Sequence, residues 1–365
     1  MKEIYEIAVV HGDGIGPEVC SAAVEVVKAA LGNGSPLNFR EYPAGAEHFL
    51  KTGESFPEPT FDACRSSDAI LHGAGGIPGV VHPDGTEAGL DFTLRLRFEL
   101  DLYANIRPIR LFEGVTCPLA GVKAGEIDYI ILRENSEGLY AARGAGVQLR
   151  GELSVDTLVQ TRVGVERIVR KAFELARASN GAPKDGVKRV TCCDKANVLR
   201  SYAFFRAVFD EVAPDYPDIE VEHVLIDAMT MHLVLRPGHF NVIVTENMFG
   251  DIISDLGAAT IGGMGLAPSA ELGERNGFFQ AAHGSAPDIA GKGIANPYGT
   301  VLSAAAMLDW LGSKYADSRL SDAAANIRAA TNKALAEGCL SADLKGNWKS
   351  ADITRRLCDQ LAAMR

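Results

Sequence analysis

The sequence predicts a layered α/β protein of about two domains, on three observations. Short apolar runs alternate along the chain with stretches of helical periodicity, the pattern of sheets covered by helices. A length of 365 residues is enough for about two domains. Gly-rich segments at 73–79, 143–151 and 257–268 punctuate the pattern, and the first and last lie close to plausible domain crossings.

Taken in order, residues 4–10 (IYEIAVV) read as a strand and 17–30 as the helix that follows it. The loop between them, HGDGIGPEV, invites comparison with the dinucleotide fingerprint and fails it. Gly12, Gly14 and Gly16 leave Pro17 where G-x-G-x-x-G needs its third glycine, and Pro17 suits a first helical turn instead. A strand at 69–72 and a helix at 92–100 come next, and a strand at 127–132 ends beside Arg133. A helix at 164–178, a strand at 188–192, a helix at 198–212 and a strand at 221–226 continue the alternation. The run Phe240 to Thr245, FNVIVT, has the β-branched richness of a buried strand. Gly250 allows a tight turn from it into a helix at 249–258, and helices at 298–311 and 321–336 close the chain.

Composition narrows the function. A content of 47% hydrophobic and 23% charged residues is that of an ordered globular protein. The formal charge of −11, with no cluster of Lys and Arg among aromatics, offers no footprint for nucleic acid or an anionic membrane. A small anionic ligand must therefore be met by local cations. The seven cysteines lack CxxC and metal-ligand spacing, which fits a reducing compartment. With no signal-like leader and no apolar stretch of spanning length, a cytoplasmic protein is expected.

The chemistry is concentrated in a few segments. NMFGDIISDLG places Asp251 and Asp255 four apart after the 240–245 strand, where two carboxylates share a helical face. Like charges so placed cost a bare helix stability, and a hard cation such as Mg²⁺ or Mn²⁺ would relieve them. A solvated face with Asp251 near the N-cap is the plainer alternative. Arg97, Arg107 and Arg133 sit at element ends in an acidic chain, and the guanidinium fork matches carboxylates; each alone would more often be a surface residue or an ion pair. Lys195 follows the 188–192 strand, and Tyr140 lies in a Gly-rich turn, positions that a solvated cation and a packing ring also occupy. Asp227 follows the 221–226 strand, where a third metal ligand and a helix N-cap are equally good readings.

Seven segments, HGDGIGPEV, LDLYANIRP, RENSEGLY, DKANVL, IDAMTMHLV, NMFGDIISDLG and HGSAPDIAGKGIANP, together resemble the β-decarboxylating dehydrogenases: the 3-isopropylmalate, isocitrate, homoisocitrate, tartrate and D-malate dehydrogenases. The resemblance runs in register from about residue 4 to beyond residue 310. It implies an isopropylmalate dehydrogenase-like fold with a large mixed sheet flanked by helices and no Rossmann unit. Residues 1–102 with 262–365 would form the larger, cofactor-binding domain, and 103–261 the smaller one, with metal and dimer-interface residues. A homodimer would complete each site.

The same resemblance implies roles. Asp251 and Asp255 of one subunit and Asp227 of the other would hold Mg²⁺ or Mn²⁺, with Lys195 also crossing the interface. Arg97, Arg107 and Arg133 would grip substrate carboxylates, Asp227 would approach the substrate, Lys195 would take the hydroxyl proton, and Tyr140 would protonate the product carbon. Gly75 and Gly76, with His283, Gly284, Ser285, Ala286, Asp288, Ile289 and Asn296, would bind the cofactor. An acid at Asp288 favours the free ribose hydroxyls of NAD, because a 2′-phosphate would meet like charge. RENSEGLY departs from the usual 3-isopropylmalate motif, and CPLAG at 117–121 looks most like the tartrate and D-malate branch.

On the helix of Arg97, Leu90, Thr93 and Leu94 share its face, while Arg95 lies about 200° round. Homoisocitrate enzymes can place Arg at the position of Leu94, and isocitrate enzymes place Ser and Asn at those of Asp91 and Thr93. A third substrate carboxylate would therefore meet Leu94 without a cation and lie near Asp91. The expected substrate is a 2-hydroxy dicarboxylate of the 3-isopropylmalate, D-malate or tartrate type, with isocitrate or homoisocitrate as the alternative. A non-catalytic regulatory subunit would have lost site residues that this chain keeps. A pyridoxine-pathway relative would place histidines, where this chain has aspartates, at the metal.

Overall fold

The computed structural model describes residues 2–32, 34–83 and 85–364. In chain order β1 (Tyr5–Gly12), α1 (Gly16–Leu31), β2 (Leu37–Glu41), α2 (Ala46–Thr52), α3 (Glu58–Ser66), β3 (Ala69–Ala74) and α4 (Leu90–Glu99) come first. The middle holds β4 (Ala104–Arg110), β5 (Asp128–Glu134), β6 (Val147–Leu149), β7 (Leu153–Val155), α5 (Arg162–Ala178), β8 (Arg189–Asp194), α6 (Arg200–Val212), β9 (Glu220–Leu225), α7 (Ile226–Leu235), β10 (Val242–Thr245) and α8 (Asn247–Thr260). The last third adds β11 (Pro268–Leu272), β12 (Gly277–Ala281), α9 (Tyr298–Tyr315), α10 (Ser318–Ala336) and α11 (Ser350–Ala363).

These elements form two compact units, Met1–Leu100 with Phe112–Thr116 and Gly262–Arg365, and Asp101–Leu111 with Cys117–Ile261. The return of 112–116 to the first unit interrupts the stretch expected to run unbroken from 103 to 261. Close packing explains it: a Cβ on Gly114 would stand 2.1 Å from the Leu335 carbonyl oxygen at the end of α10.

In the first unit the strand order is β2-β1-β3-β12-β11, parallel except for the antiparallel β11–β12 pair. β3 is buried along its whole length, as a strand covered on both faces must be; α9 packs on α1, α10 and β12. In the second unit the order is β4-β5-β10-β8-β9, with β4–β5 antiparallel and the rest parallel. β8 and β10 are buried throughout, and α5 and α8 pack against β5. The β6–β7 hairpin is exposed at every residue. The layered α/β expectation, a mixed sheet flanked by helices, is the architecture the chain adopts.

Two local readings need correction. α8 begins at Asn247, directly after β10, with Glu246 as N-cap accepting from the N–H of Met248 (3.1 Å) and Phe249 (2.8 Å). Gly250 is thus inside the helix and makes no turn, and Asp251 lies beyond the N-cap. The glycine is there for room, since a Cβ would stand 2.6 Å from Arg133 Cβ. The strand expected to reach 226 ends at Leu225, and Ile226 already opens α7.

Candidate active site

The expected site residues of the second unit meet on one face of α8. Asn247, Asp251, Ser254 and Asp255 recur at near-heptad spacing, which keeps them on one helical stripe, and α8 lays that stripe against β4 and β5. Arg133, at the end of β5, is buried to 1% exposure. Its Nε and Nη2 donate to Asn247 Oδ1 at 2.9 and 2.7 Å, and its Nη1 donates to Asp251 Oδ1. Arg107 on β4, also buried, reaches Asp251 at 3.4 Å and Asp255 at 3.8 Å and donates to Ser254 Oγ at 2.5 Å. The two aspartates therefore face a pair of buried cations, Asp251 being partly exposed and Asp255 exposed.

Tyr140 is brought to the same place. Its hydroxyl donates to Asp251 Oδ2 at 3.2 Å, and the Arg133 guanidinium lies 5.5 Å from its ring centre. Burial and the Asp251 charge push the phenol up from its ordinary value, so it carries a proton that it can give. Burial likewise pushes Asp255 up, with Asp251 adding to it and Arg107 opposing. The chain between Arg133 and Tyr140 is shaped by Glu134, whose buried carboxylate accepts from Ser136 Oγ (2.6 Å) and the N–H of Glu137 (2.7 Å).

Lys195 and Asp227 form a separate pair, Nζ to Oδ1 at 2.5 Å. Asp194, fully buried and held by Arg206 at 2.7 Å, accepts from the Ala196 N–H at 2.8 Å and so sets the turn that carries Lys195. Within the chain the neighbour of Lys195 is an anion, because Asp227 enters in the first turn of α7. Among the described residues no group of three or more His, Cys, Asp or Glu comes together to hold a metal ion, so Asp227 does not join Asp251 and Asp255 within one chain.

In the first unit Arg97 is buried and its fork lies on Glu271, Nε to Oε2 and Nη2 to Oε1, both at 2.7 Å. Leu90 is exposed and Thr93 and Leu94 are half-buried. Arg95 turns instead to Glu58 (2.8 Å) and Glu99 (2.6 Å). Asp91 is not a bare charge: His82 Nε2 stands on its Oδ2, and Ser55 Oγ donates to the same oxygen at 3.1 Å.

The expected cofactor residues of this unit are tied by Asp13, a fully buried acid that the sequence reading passed over. Its carboxylate accepts from the N–H of Gly76 (2.8 Å), Ala46 (2.9 Å) and Glu47 (2.7 Å). Ser285 Oγ donates to the Gly76 carbonyl, and Ile15 N–H donates to the Ser285 carbonyl at 2.8 Å. Gly14, at φ +59°, is required in this contact, because a Cβ would stand 2.1 Å from that carbonyl oxygen. His283 turns Nδ1 to the Gly284 carbonyl (3.0 Å), and burial lowers its pKa. Ala286 holds φ +40°, Asp288 is exposed, and Gly75 and Gly284 have no side chain to obstruct a ligand. Ile289 packs on Ile15, Val19 and Ala295. Asn296 is spent on its own fold, Nδ2 on Asp343 and Oδ1 under the Tyr298 N–H, each at 3.0 Å.

Asn247, Ser254 and Glu271 were also missed. The stripe Asn247, Asp251, Ser254 is readable once α8 is known to begin at Asn247; nothing near Glu271 in the sequence points to Arg97.

A mixed α/β scaffold presenting paired arginines, paired aspartates and a phenol at strand ends is that of an enzyme acting on a small anion. The sequence profile of the isocitrate/isopropylmalate dehydrogenases matches residues 6–360. A 3-isopropylmalate/3-methylmalate dehydrogenase of Methanocaldococcus jannaschii is 41% identical, over 98% of this chain and 99% of its own length. A 3-isopropylmalate dehydrogenase of Archaeoglobus fulgidus is 42% identical, over 98% and 99%. The crystal structure of isocitrate dehydrogenase from Methylococcus capsulatus superposes with a TM-score of 0.86 at 34% identity, covering 98% of this chain and all of that one. The chain belongs to the isocitrate/isopropylmalate dehydrogenase family. It is an oxidoreductase, a decarboxylating dehydrogenase acting on a CH–OH group.

Proposed function

We propose that the chain uses NAD and a divalent ion, Mg²⁺ or Mn²⁺, to oxidise a 2-hydroxy dicarboxylate and release CO₂, leaving a 2-oxo acid. The observation that carries this reading is the α8 face, where Arg107 and Arg133 stand against Asp251 and Asp255 and the Tyr140 hydroxyl touches Asp251. Asp251 and Asp255 fit a hard oxygen-seeking ion. Two carboxylates leave its coordination incomplete, which substrate oxygens and Asp227 of a second copy would finish; Lys195, paired to Asp227, would arrive with it. The homodimer, and its setting in the cytoplasm, belong to this proposal; no helix among the described residues is long and apolar enough to cross a membrane.

Arg107 and Arg133, with Arg97, grip the substrate's carboxylates. Lys195 of the second copy accepts the C2 hydroxyl proton beside Asp227, the C–C bond to the β-carboxylate then breaks, and Tyr140 gives its proton to C3. Held there, the metal ion would supply polarisation of the hydroxyl and stabilisation of the charge left as CO₂ departs, and NAD would supply the acceptor for the hydride from C2. Asp288, with Ile289, would meet the adenosine ribose of NAD, and Gly75, Gly76, His283, Gly284, Ser285, Ala286 and Asn296 would line its path.

Leu90, Thr93 and Leu94 make 3-isopropylmalate, D-malate or tartrate the preferred substrates. With His82 on Asp91, the argument against a third carboxylate rests on Leu94 and no longer on the charge of Asp91. The names of the 41% and 42% identical relatives favour a 3-alkylmalate, and the isocitrate dehydrogenase neighbour keeps isocitrate or homoisocitrate as the second reading. NADH formation, followed with and without Mg²⁺ or Mn²⁺ across these five acids, decides. Metal-dependent turnover fastest with one of the first three is expected. Isocitrate as the best substrate would overturn the reading of the α4 face, and no turnover with any would overturn the function.

A further inference from the structure

Two buried arginine forks are held by different partners. Glu271 takes the Arg97 fork, Nε and Nη2 on two carboxylate oxygens at 2.7 Å, and in doing so compensates its charge. Asn247 takes the same edge of Arg133, Nε at 2.9 Å and Nη2 at 2.7 Å, on a single amide oxygen. A neutral amide fixes a guanidinium in direction without cancelling its charge. The amide is itself fixed: Asn247 is 1% exposed, and its Nδ2 donates to the Glu137 carbonyl at 2.8 Å, which settles which end is oxygen. That bond also ties the loop carrying Tyr140 to the first residue of α8. Gly250, one turn on, leaves room for the Arg133 stem.

We propose that Asn247 is a positioning residue for substrate binding: a neutral clamp that aims the Arg133 guanidinium, whose Nη1 also meets Asp251, at the substrate's carboxylate without setting a second negative charge against it. The inference rests on the dehydrogenase reading above and deepens it. It assigns discrimination for a dianionic substrate to a residue that touches neither substrate nor metal. A carboxylate at 247 would keep the two bonds to the fork but lose the donor to the Glu137 carbonyl and compete for the Arg133 charge; Asn247→Ser, which gives up the amide without adding charge, separates the two effects.

The experiment compares wild type, Asn247→Asp, Asn247→Ser and Arg133→Gln, and each Asn247 change combined with Arg133→Gln. The probe is whichever of 3-isopropylmalate, D-malate and tartrate the wild type oxidises fastest. Kinetics are read as KM and kcat separately, the dissociation constant by calorimetry, and folding by thermal unfolding. For Asn247→Asp we expect the substrate KM and dissociation constant to rise tenfold or more, while kcat and the KM for NAD change less than threefold and the unfolding temperature falls no further than in Asn247→Ser. Asn247→Ser, still neutral, should weaken binding less. In the Arg133→Gln background neither change should alter the dissociation constant beyond twofold, because the group they act through is gone. A substrate KM unchanged in Asn247→Asp, or equal losses with and without Arg133, would overturn the proposal. Should Asn247→Asp fail to fold, Asn247→Ser must still weaken substrate binding only where Arg133 is present, and equal losses with and without Arg133 would overturn the clamp. A wild type inactive on every acid would instead defeat the dehydrogenase reading, so the two failures are distinct.

Discussion

Replacing Gly250 by Ala tests how Arg133 is seated. An added Cβ would stand 2.6 Å from Arg133 Cβ, 2.7 Å from its Cγ and 3.2 Å from its Cα, where carbon atoms rest at about 3.5–4.0 Å. The contact is with the root of the side chain and the backbone of β5, so no rotamer change relieves it; helix and strand must part by about 1 Å. Ala is favoured over Gly inside a helix by about 1 kcal/mol, against an overpacking cost of about 1–3 kcal/mol. The net loss of stability is therefore at most about 2 kcal/mol. Activity should suffer far more. The same parting pulls Asn247 and Asp251 from the Arg133 fork, and a misplacement of about 1 Å costs on the order of 100-fold in rate. Gly257→Ala is the control on the same helix. Its Cβ would meet Ile109 Cγ1 and Cδ1 at 3.0 and 3.1 Å and the Tyr129 hydroxyl at 3.1 Å, side-chain ends rather than the seat of Arg133, so kcat/KM should fall no more than about threefold. Steady-state NADH formation and urea unfolding on both variants provide the comparison. Wild-type kcat/KM in Gly250→Ala, or equal losses in the two, would refute the reasoning.

Other substitutions probe the rest of the site. Asp251→Asn and Asp255→Asn should each raise the Mn²⁺ concentration for half-maximal activity by about tenfold or more; titrations unchanged in both would remove them from the metal site. Asp288→Lys with Ile289→Tyr should shift the NAD to NADP preference by about tenfold or more, since a 2′-phosphate would then find a cation in place of an anion; an unaltered ratio places the ribose elsewhere. Burial lowers the pKa of His72 to about 4, with Nδ1 on the Val10 carbonyl at 2.7 Å and Nε2 enclosed without a partner. Because its folded pKa lies below its unfolded one, the unfolded chain binds the extra proton. The contribution is therefore whole above about pH 6.5 and is lost as pH falls toward 4, by on the order of 3 kcal/mol. His72→Phe, which suits the neighbouring Phe92 and Phe278 rings, should flatten that part of the stability profile; urea midpoints from pH 4 to 7 with the wild-type slope would count against it.

Local pattern carried much of this molecule. β10 was legible because a strand buried on both faces reads as an apolar, β-branched run, and α5 because its apolar residues recur at helical spacing behind a Thr161 N-cap that accepts from Gly164 N–H at 3.0 Å. Asp251 and Asp255 were readable as a pair for the same reason: four residues on a helix always share a face. β4 escaped because Pro108 and its arginines break the apolar pattern, and only pairing with β5 makes ANIRPIR a strand. β11 (PSAEL) and β12 (GFFQA) lack the β-branched residues that mark β10, and the antiparallel partner that each supplies is what defines the other.

What tertiary structure alone decided is who meets whom. The sequence contains Asn247, Gly250 and Arg133 as unconnected letters; the register of β5 against α8 makes one the clamp, one the gap and one the cation held between them. The same holds for Asp13, which gathers Gly76 and the first turn of α2, Ala46 and Glu47, and for Glu271, 174 residues from the Arg97 it holds. Periodicity is a property of consecutive residues, so a chain can display it without being folded. A hydrogen bond between distant residues has no such signature, because its direction and length exist only after the backbone has placed both ends.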